Sequence, residues 1–131
     1  ASSLTISPTN LNISNLGISA NIPANGVSAS SVTLNAYPGG ETFNITTEER
    51  EIPYEIKLTD NSGNDITSTS PIAVQINIGT GLEVKSMMHG STAMTKSTTH
   101  AADTYEYNKK TGILTLYVTH FSKFNILFTI I

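Results

Sequence analysis

Two polar side chains that can do chemistry, His120 and Ser122, interrupt an apolar repeat near the end of the chain. From Leu114 onward, the even positions of the run 112–131 are apolar except at these two. Alternation with period two is typical of a β-strand with one buried face, so it predicts that both side chains point inward. There they need hydrogen-bond partners, because a buried polar group left unpaired costs about 1–3 kcal/mol.

The peptide bond between Phe121 and Ser122 is a candidate for self-cleavage. The Ser122 hydroxyl can attack the Phe121 carbonyl and convert the amide into an ester, which water then hydrolyses. A peptide twisted out of planarity stores strain that favours this attack, and His120 is the candidate base for the hydroxyl proton. The candidate catalytic residues are therefore His120, Phe121 and Ser122. The alternative is a structural bend in which His120 and Ser122 satisfy backbone groups.

Two strand-like runs, 112–118 and 125–131, must position this step. Strands usually have about 3–10 residues, so the run 112–131 is predicted to break at the His-Phe-Ser step. The apolar run 125–131 is predicted to be central in a sheet, since an unprotected edge would invite pairing with another chain.

Short alternating segments recur along the rest of the chain, and none has helical periodicity. We expect a tight turn at Asn25-Gly26, a hairpin between 32–36 and the short strand at Phe43 and Ile45, and a hairpin turn at 108–112. The remaining segments with apolar alternation are 16–22, 52–58, 72–78, the less regular 82–88, and 105–107. Residues 91–103 have the weakest pattern and are predicted to form a strand-poor loop or irregular edge. Together these features predict an all-β, antiparallel β-sandwich of about eight or nine strands.

Composition limits the function classes. The 131 residues fit a single domain, 1–131, in which 1–15 is an edge strand or a linker. The absence of cysteine excludes disulfides, thiol catalysis and thiolate metal sites. Charged residues make up only 13%, while Ser, Thr and Asn are frequent, a balance that favours an extracellular or cell-surface protein.

Charge and hydropathy argue against two further classes. The net charge is −3 and the lysines are scattered, so no cluster of cations is available for nucleic acid. No apolar run approaches the ~20 residues that a membrane span requires, and membrane insertion is not expected. The sequence does not open on a charged segment followed by an apolar one, so we expect any signal or anchor to be already removed or never present.

Metal and cofactor sites are not predicted. The acidic turn 60–65 lacks the spacing of a calcium loop and has the composition of an ordinary turn. His89, His100 and His120 are not spaced as zinc ligands. The sequons at Asn12 and Asn44 matter only in a eukaryotic secretory pathway. The tyrosines suggest a carbohydrate-binding alternative, which requires exposed rings that share one face; they are Tyr37, Tyr54, Tyr105, Tyr107 and Tyr117.

The stretch 117–127, with its His120-Phe121-Ser122 tripeptide, resembles the terminal motif of the ZU-type and GAIN-type β-sandwich domains. Weaker similarity to modules of large bacterial surface proteins extends over most of 18–127. In self-processing members of that group, the chain is cut before the hydroxyl residue of the tripeptide. The resemblance therefore implies that His120 is the base, Ser122 the nucleophile and Phe121–Ser122 the scissile bond.

We interpret the chain as a non-catalytic secreted or cell-surface module that serves as a spacer or a protein-interaction domain, with adhesion as its setting. Its expected partner is another protein or a surface polymer. It is expected to be a monomer or part of a larger multidomain chain, without a cofactor. The alternatives are an autoproteolytic domain that cleaves Phe121–Ser122 and a carbohydrate-binding module.

Overall fold

A computed structural model describes residues 9–13, 17–22, 32–60 and 62–130. The predicted turn at Asn25-Gly26 lies outside these residues. None of the described residues lies in a helix, so none of them forms a helix that could cross a membrane. The described strands are β1 (Thr9–Ile13), β2 (Ile18–Ile22), β3 (Val32–Pro38), β4 (Thr42–Asn44), β5 (Glu49–Asp60), β6 (Ile72–Asn77), β7 (Leu82–His89), β8 (Thr92–Ala93), β9 (Thr95–Lys96), β10 (Thr104–Asn108), β11 (Ile113–Val118) and β12 (Lys123–Ile130).

The strands form two sheets. The first has the order β1-β2-β6-β11-β10-β9, and the second has the order β3-β5-β12-β7-β8, with β4 also paired to β5. All pairs are antiparallel except β9 with β10. The predicted antiparallel β-sandwich is therefore confirmed. The described strands exceed the predicted number partly because β8 and β9 have two residues each, too few to show alternation.

The last two strands belong to different sheets. β11 lies between β6 and β10, whereas β12 lies between β5 and β7. The predicted break at the His-Phe-Ser step is confirmed, since residues 119–122 carry the chain from one sheet to the other. The predicted central position of the run 125–131 is confirmed for 125–128, which pairs on both sides, whereas Thr129 and Ile130 pair only with β7.

One hydrophobic cluster lies between the sheets, supplied by alternate positions of their strands. The alternation is regular in β6 and β11, whose inward side chains are fully buried, and in the first part of β12. The largest fully buried side chains are Phe124, Ile18, Ile56, Leu58, Ile72, Ile76, Met87, Leu114, Leu116 and Ile126.

The predicted hairpin between β3 and β4 is wrong. Both strands pair antiparallel with the same edge of β5, β3 along 54–60 and β4 along 49–51. They therefore run in the same direction, one after the other. Pro38 and two glycines interrupt this edge strand instead of reversing the chain. The reversal comes later, at the turn 45–48 between β4 and β5.

The predicted hairpin turn 108–112 is confirmed, because β10 pairs antiparallel with β11. Its last residue, Gly112, has φ +75°. A Cβ atom built there would lie 2.5 Å from the carbonyl carbon of Gly79, so no larger side chain fits without movement of the backbone.

A β-bulge changes which side chains of β7 point inward. The register of β7 against β12 shifts between Leu127 and Phe128, which pair with Ser86 and Val84. One residue of β7 is therefore extra, and the inward positions change from even to odd numbers. Val84 and Met88 were predicted to share one inward phase, but beyond the bulge it is Met87 and His89 that are buried.

Candidate functional site

The crossover 119–122 is held at both ends by backbone hydrogen bonds to neighbouring segments. The Ser68 amide donates to the Thr119 carbonyl (2.7 Å), and the Ile56 amide donates to the Ser122 carbonyl (3.1 Å). The Gly90 amide donates to the Lys123 carbonyl at 2.7 Å. These bonds fix the path of the chain between the sheets, and Phe121 packs against the core.

The prediction that His120 and Ser122 both point into the core is wrong. His120 is exposed and Ser122 is half-buried. No hydrogen bond joins the His120 imidazole to the Ser122 hydroxyl, both of which lie in the described part of the chain. The alternation fails here because residues 119–122 are not in a strand, so the pleat that orients side chains in turn is absent.

His120 nevertheless lies against a buried partner, His89. The His89 ring is stacked between His120 and Phe124, with ring centroids 4.4 Å apart on each side. Its Nδ1 is 2.9 Å from Asp103 Oδ1. We call His89, Asp103, His120 and Phe124 the histidine corner. It brings together residues of β7, the loop before β10, the crossover and β12.

The hydrogen bond to Asp103 sets the tautomer of His89. A carboxylate can only accept, so Nδ1 carries the proton, and Nε2 has a free lone pair when the ring is neutral. An Asp-oriented imidazole with this tautomer is the arrangement used by catalytic bases and metal ligands. Here Nε2 is buried and has no hydrogen-bond partner among the residues that the structure describes. Because Nε2 is closed off from solvent, the arrangement is suited to packing at the crossover.

The third histidine makes different contacts. The His100 ring stacks on Tyr117 with centroids 4.3 Å apart, and its Nε2 is 2.9 Å from Glu106 Oε1. The angle of the second contact does not suit a hydrogen bond, so it is an ion pair when the imidazole is protonated. Burial, followed by the negative charge of Glu106, raises the pKa of Tyr117.

No group of three or more metal-binding side chains occurs among the residues that the structure describes. In the acidic turn 60–65, the Asp60 carboxylate accepts hydrogen bonds from the amides of Ser62 (2.8 Å) and Asn64 (3.0 Å). The bond from Asn64, then that from Ser62, lowers the pKa of Asp60. The carboxylate therefore stabilises the turn itself.

The described tyrosine side chains do not form a platform for sugars. Tyr105 is buried, and the Tyr107 hydroxyl donates to the Gly79 carbonyl at 2.6 Å. Tyr54 lies in the other sheet, and Tyr117 is covered on one face by His100. Burial raises the pKa of Tyr54 and of Tyr105. The side chain of Tyr37 lies outside the described part.

A second region, at the C-terminal end of β12, exposes large hydrophobic side chains to solvent. Among the side chains that the structure describes, three large hydrophobic ones remain exposed: Phe43 (51%), Ile45 (84%) and Ile130 (59%). Phe43 lines two grooves, one with Ile45 and Leu127 and the other with Ile130. We call Phe43, Ile45 and Ile130 the apolar patch. Such exposed groups are typical of interaction sites.

The Phe43 ring of the patch packs against a neighbouring arginine, which is itself paired with a glutamate. The Arg50 guanidinium lies 4.8 Å from the ring centroid, within the range of a cation–π interaction. Arg50 Nη1 is also 2.8 Å from Glu41 Oε2. The ring therefore packs against Arg50 of β5, and about half of the residue is open to solvent.

The sequence pattern does not reveal the contact between His89 and Asp103 or the exposure of Phe43 and Ile45. No apolar alternation marks His89 or Asp103. The bulge that buries His89 is visible only in the register of β7 against β12. Phe43 and Ile45 are predicted to lie in a strand, but their alternation does not show that both side chains are exposed.

No family model matches the chain, and the comparisons with curated proteins and with solved structures found no match either.

Proposed function

We propose that this domain is a non-catalytic protein-interaction module of a secreted or cell-surface protein and that it binds its partner through the apolar patch. One observation carries the proposal: the exposed side chains of Ile45 and Ile130 each share a groove with the exposed Phe43. Burying one such side chain against a partner is worth about 1.5–3 kcal/mol. The low content of charged residues supports the extracellular address.

Selection of random peptides displayed on phage against the intact chain tests this proposal. We expect the enriched peptides to lose about tenfold in affinity when Phe43→Ser and Ile45→Ser are combined, because central apolar contacts dominate most interfaces. The matched control is Ile113→Ser, which removes a partly exposed isoleucine from the other sheet. Circular dichroism checks that each variant is folded.

Two outcomes contradict the proposal. Enriched peptides that depend on Ile113 and not on Phe43 would place the binding surface in the other sheet. A failure of every library to yield a binder would leave the domain as a spacer, the other role that its composition and fold allow.

We propose self-cleavage at Phe121–Ser122 as a second candidate. The observation in its favour is that backbone hydrogen bonds hold Thr119, Ser122 and Lys123, on both sides of the peptide bond. In this reaction Ser122 Oγ bonds to the Phe121 carbonyl carbon, the C–N bond breaks and the Ser122 nitrogen takes up the hydroxyl proton. Water then hydrolyses the ester to a Phe121 carboxylate and a free hydroxyl.

The mass of the denatured protein distinguishes the two candidates. Denaturation is necessary because β12 is paired on both sides and would retain a cleaved fragment in the sheet. A fragment that begins at Ser122, and that disappears in Ser122→Ala, would establish cleavage. A single species of full length would exclude it, which is the result that the interaction module predicts.

A further inference from the structure

The charges around the apolar patch specify the chemistry of its partner. We infer that the patch binds a basic, extended segment of another protein, in which apolar side chains alternate with lysine or arginine. This inference rests on the proposed function and adds to it the sign of the partner's charge and the conformation of its chain.

Acidic side chains flank the patch, with Glu49 and Glu51 on the face of the sheet opposite that of Phe43 and Arg50. Glu49 and Glu51 line the groove that contains Ile45, and Glu48 lines the groove that contains Ile130. Glu41 is paired with Arg50, the one cation among the residues named for the patch and its grooves. Four glutamates and one arginine give this region a formal charge of −3, which equals the net charge of the whole chain.

This charge selects among the possible occupants. A second copy of the domain would bring the same −3 charge against the first, and like charges placed together at an interface cost several kcal/mol. An anionic lipid surface would be repelled for the same reason. A cationic segment is attracted instead, and the attraction both accelerates association and excludes other partners.

The free edge of β4 favours a partner segment in an extended conformation. β4 pairs with β5 on one side, and no described strand pairs with its other side. An exposed edge offers unpaired amide and carbonyl groups to which an extended peptide can add as a further strand. In such a strand successive side chains alternate between two faces, so apolar side chains can meet Phe43 while cations meet the glutamates.

The turn between β4 and β5 is pre-organised, as expected for a binding surface. Asn44 Oδ1 accepts hydrogen bonds from the amides of Thr46 (2.9 Å) and Thr47 (3.3 Å). The Glu48 amide donates to the Asn44 carbonyl at 2.7 Å. This network holds the turn on which Ile45 is 84% exposed. A fixed turn loses little entropy on binding, which favours affinity.

Three octapeptides test the inference against the intact chain: one alternating lysine with valine, one alternating glutamate with valine, and one alternating lysine with serine. Fluorescence anisotropy of labelled peptides measures their affinities. We expect the lysine–valine peptide to bind about tenfold more tightly than either of the others. Its affinity should fall as sodium chloride rises from about 50 to about 300 mM, because salt screens exposed charges.

Variants locate the interaction. Combining Glu49→Gln with Glu51→Gln should weaken the lysine–valine peptide about fivefold, and Phe43→Ser should weaken it about tenfold. The matched control is Glu83→Gln, which removes an exposed glutamate of β7 that lies near Lys85. Amide shifts in the NMR spectrum should change along β4 and the start of β5.

The remaining outcomes would contradict the inference in different ways. Equal binding of the acidic peptide, or a loss in Glu83→Gln as large as in the double variant, would overturn the inference. Phage-selected neutral peptides that need Phe43 but are indifferent to Glu49 and Glu51 would overturn it while the proposed function stands. Self-association of the chain in sedimentation experiments, if Phe43→Ser abolishes it, would assign the patch to a second copy.

Discussion

The two ends of β12 have opposite surroundings. Near its start, Phe124 is fully buried and stacked on His89, which is itself covered by His120. At its end, Ile130 is 59% exposed beside Phe43. The same strand with the same alternation thus has one closed end and one open end. Whether a side chain of β12 is buried depends on the segments that cover the strand. Among the described residues, such a segment lies only at the histidine corner.

This difference has an energetic consequence. At the histidine corner the contacts of the buried rings contribute to folding, even though the unpartnered His89 Nε2 costs part of that stabilisation. At the apolar patch the side chains stay exposed and contribute little to folding. In the proposed function, their burial against a partner stabilises the complex instead. Substitutions at the two ends should therefore affect different quantities, stability at one and binding at the other.

The largest expected difference is between two phenylalanines. Phe124→Ala should lower the free energy of unfolding by about 3–5 kcal/mol, because it leaves a cavity in the core. Phe43→Ala should lower it by less than about 1 kcal/mol, since the ring is half exposed. Urea unfolding followed by circular dichroism measures both. Equal losses would show that the apolar patch is part of the folded core and would contradict the comparison.

Two glycines give the next largest difference. Gly90, next to the histidine corner, has φ +62°, and among the described atoms an added Cβ would meet only Ser122 Oγ, at 3.6 Å. Gly90→Ala should therefore cost about 1–2 kcal/mol from the left-handed backbone alone. Gly40, close to β4, has open space around it, and Gly40→Ala should change stability by a few tenths of a kcal/mol. If the two variants unfold at the same urea concentration, the backbone strain assigned to Gly90 is wrong.

The regular strands of the fold could be predicted from sequence because their alternation is unbroken. Ile72, Val74 and Ile76, like Leu114 and Leu116, keep one phase and are all buried. A pattern with period two reports such positions directly, since pairing on both sides preserves the pleat. The break between β11 and β12 was predictable on length alone.

The candidate site could not be predicted in the same way, because its residues lie where the pleat is interrupted. The phase of β11 and β12 was extended across 119–122, but a crossover imposes no pleat, and His120 is exposed. In β7 one extra residue reverses the phase and turns His89 inward. A bulge depends on the partner strand, so the sequence of β7 alone does not show it.

A smaller effect is expected at the hydrogen bond between His89 and Asp103. Asp103→Asn should lower the free energy of unfolding by about 1 kcal/mol, because a neutral acceptor replaces a charged, partly exposed one. Asparagine also tolerates the backbone of this residue, whose φ is +60°. Asp65→Asn, a change at an exposed position, is the control and should be neutral. An unchanged stability in Asp103→Asn would mean that ring stacking alone holds the histidine corner.

The smallest effect is expected at the turn of the apolar patch, where Glu48 has φ +60°. Asparagine enters this left-handed region more readily than glutamate, so Glu48→Asn should raise the free energy of unfolding by about 0.5 kcal/mol. Glu48→Gln is the matched control, because it removes the same charge and keeps the backbone cost. Urea unfolding of the two variants side by side separates strain from charge. If Glu48→Asn is no more stable than Glu48→Gln, the backbone at Glu48 is unstrained. The conformation of the turn that exposes Ile45 is then set by the hydrogen bonds of Asn44 alone.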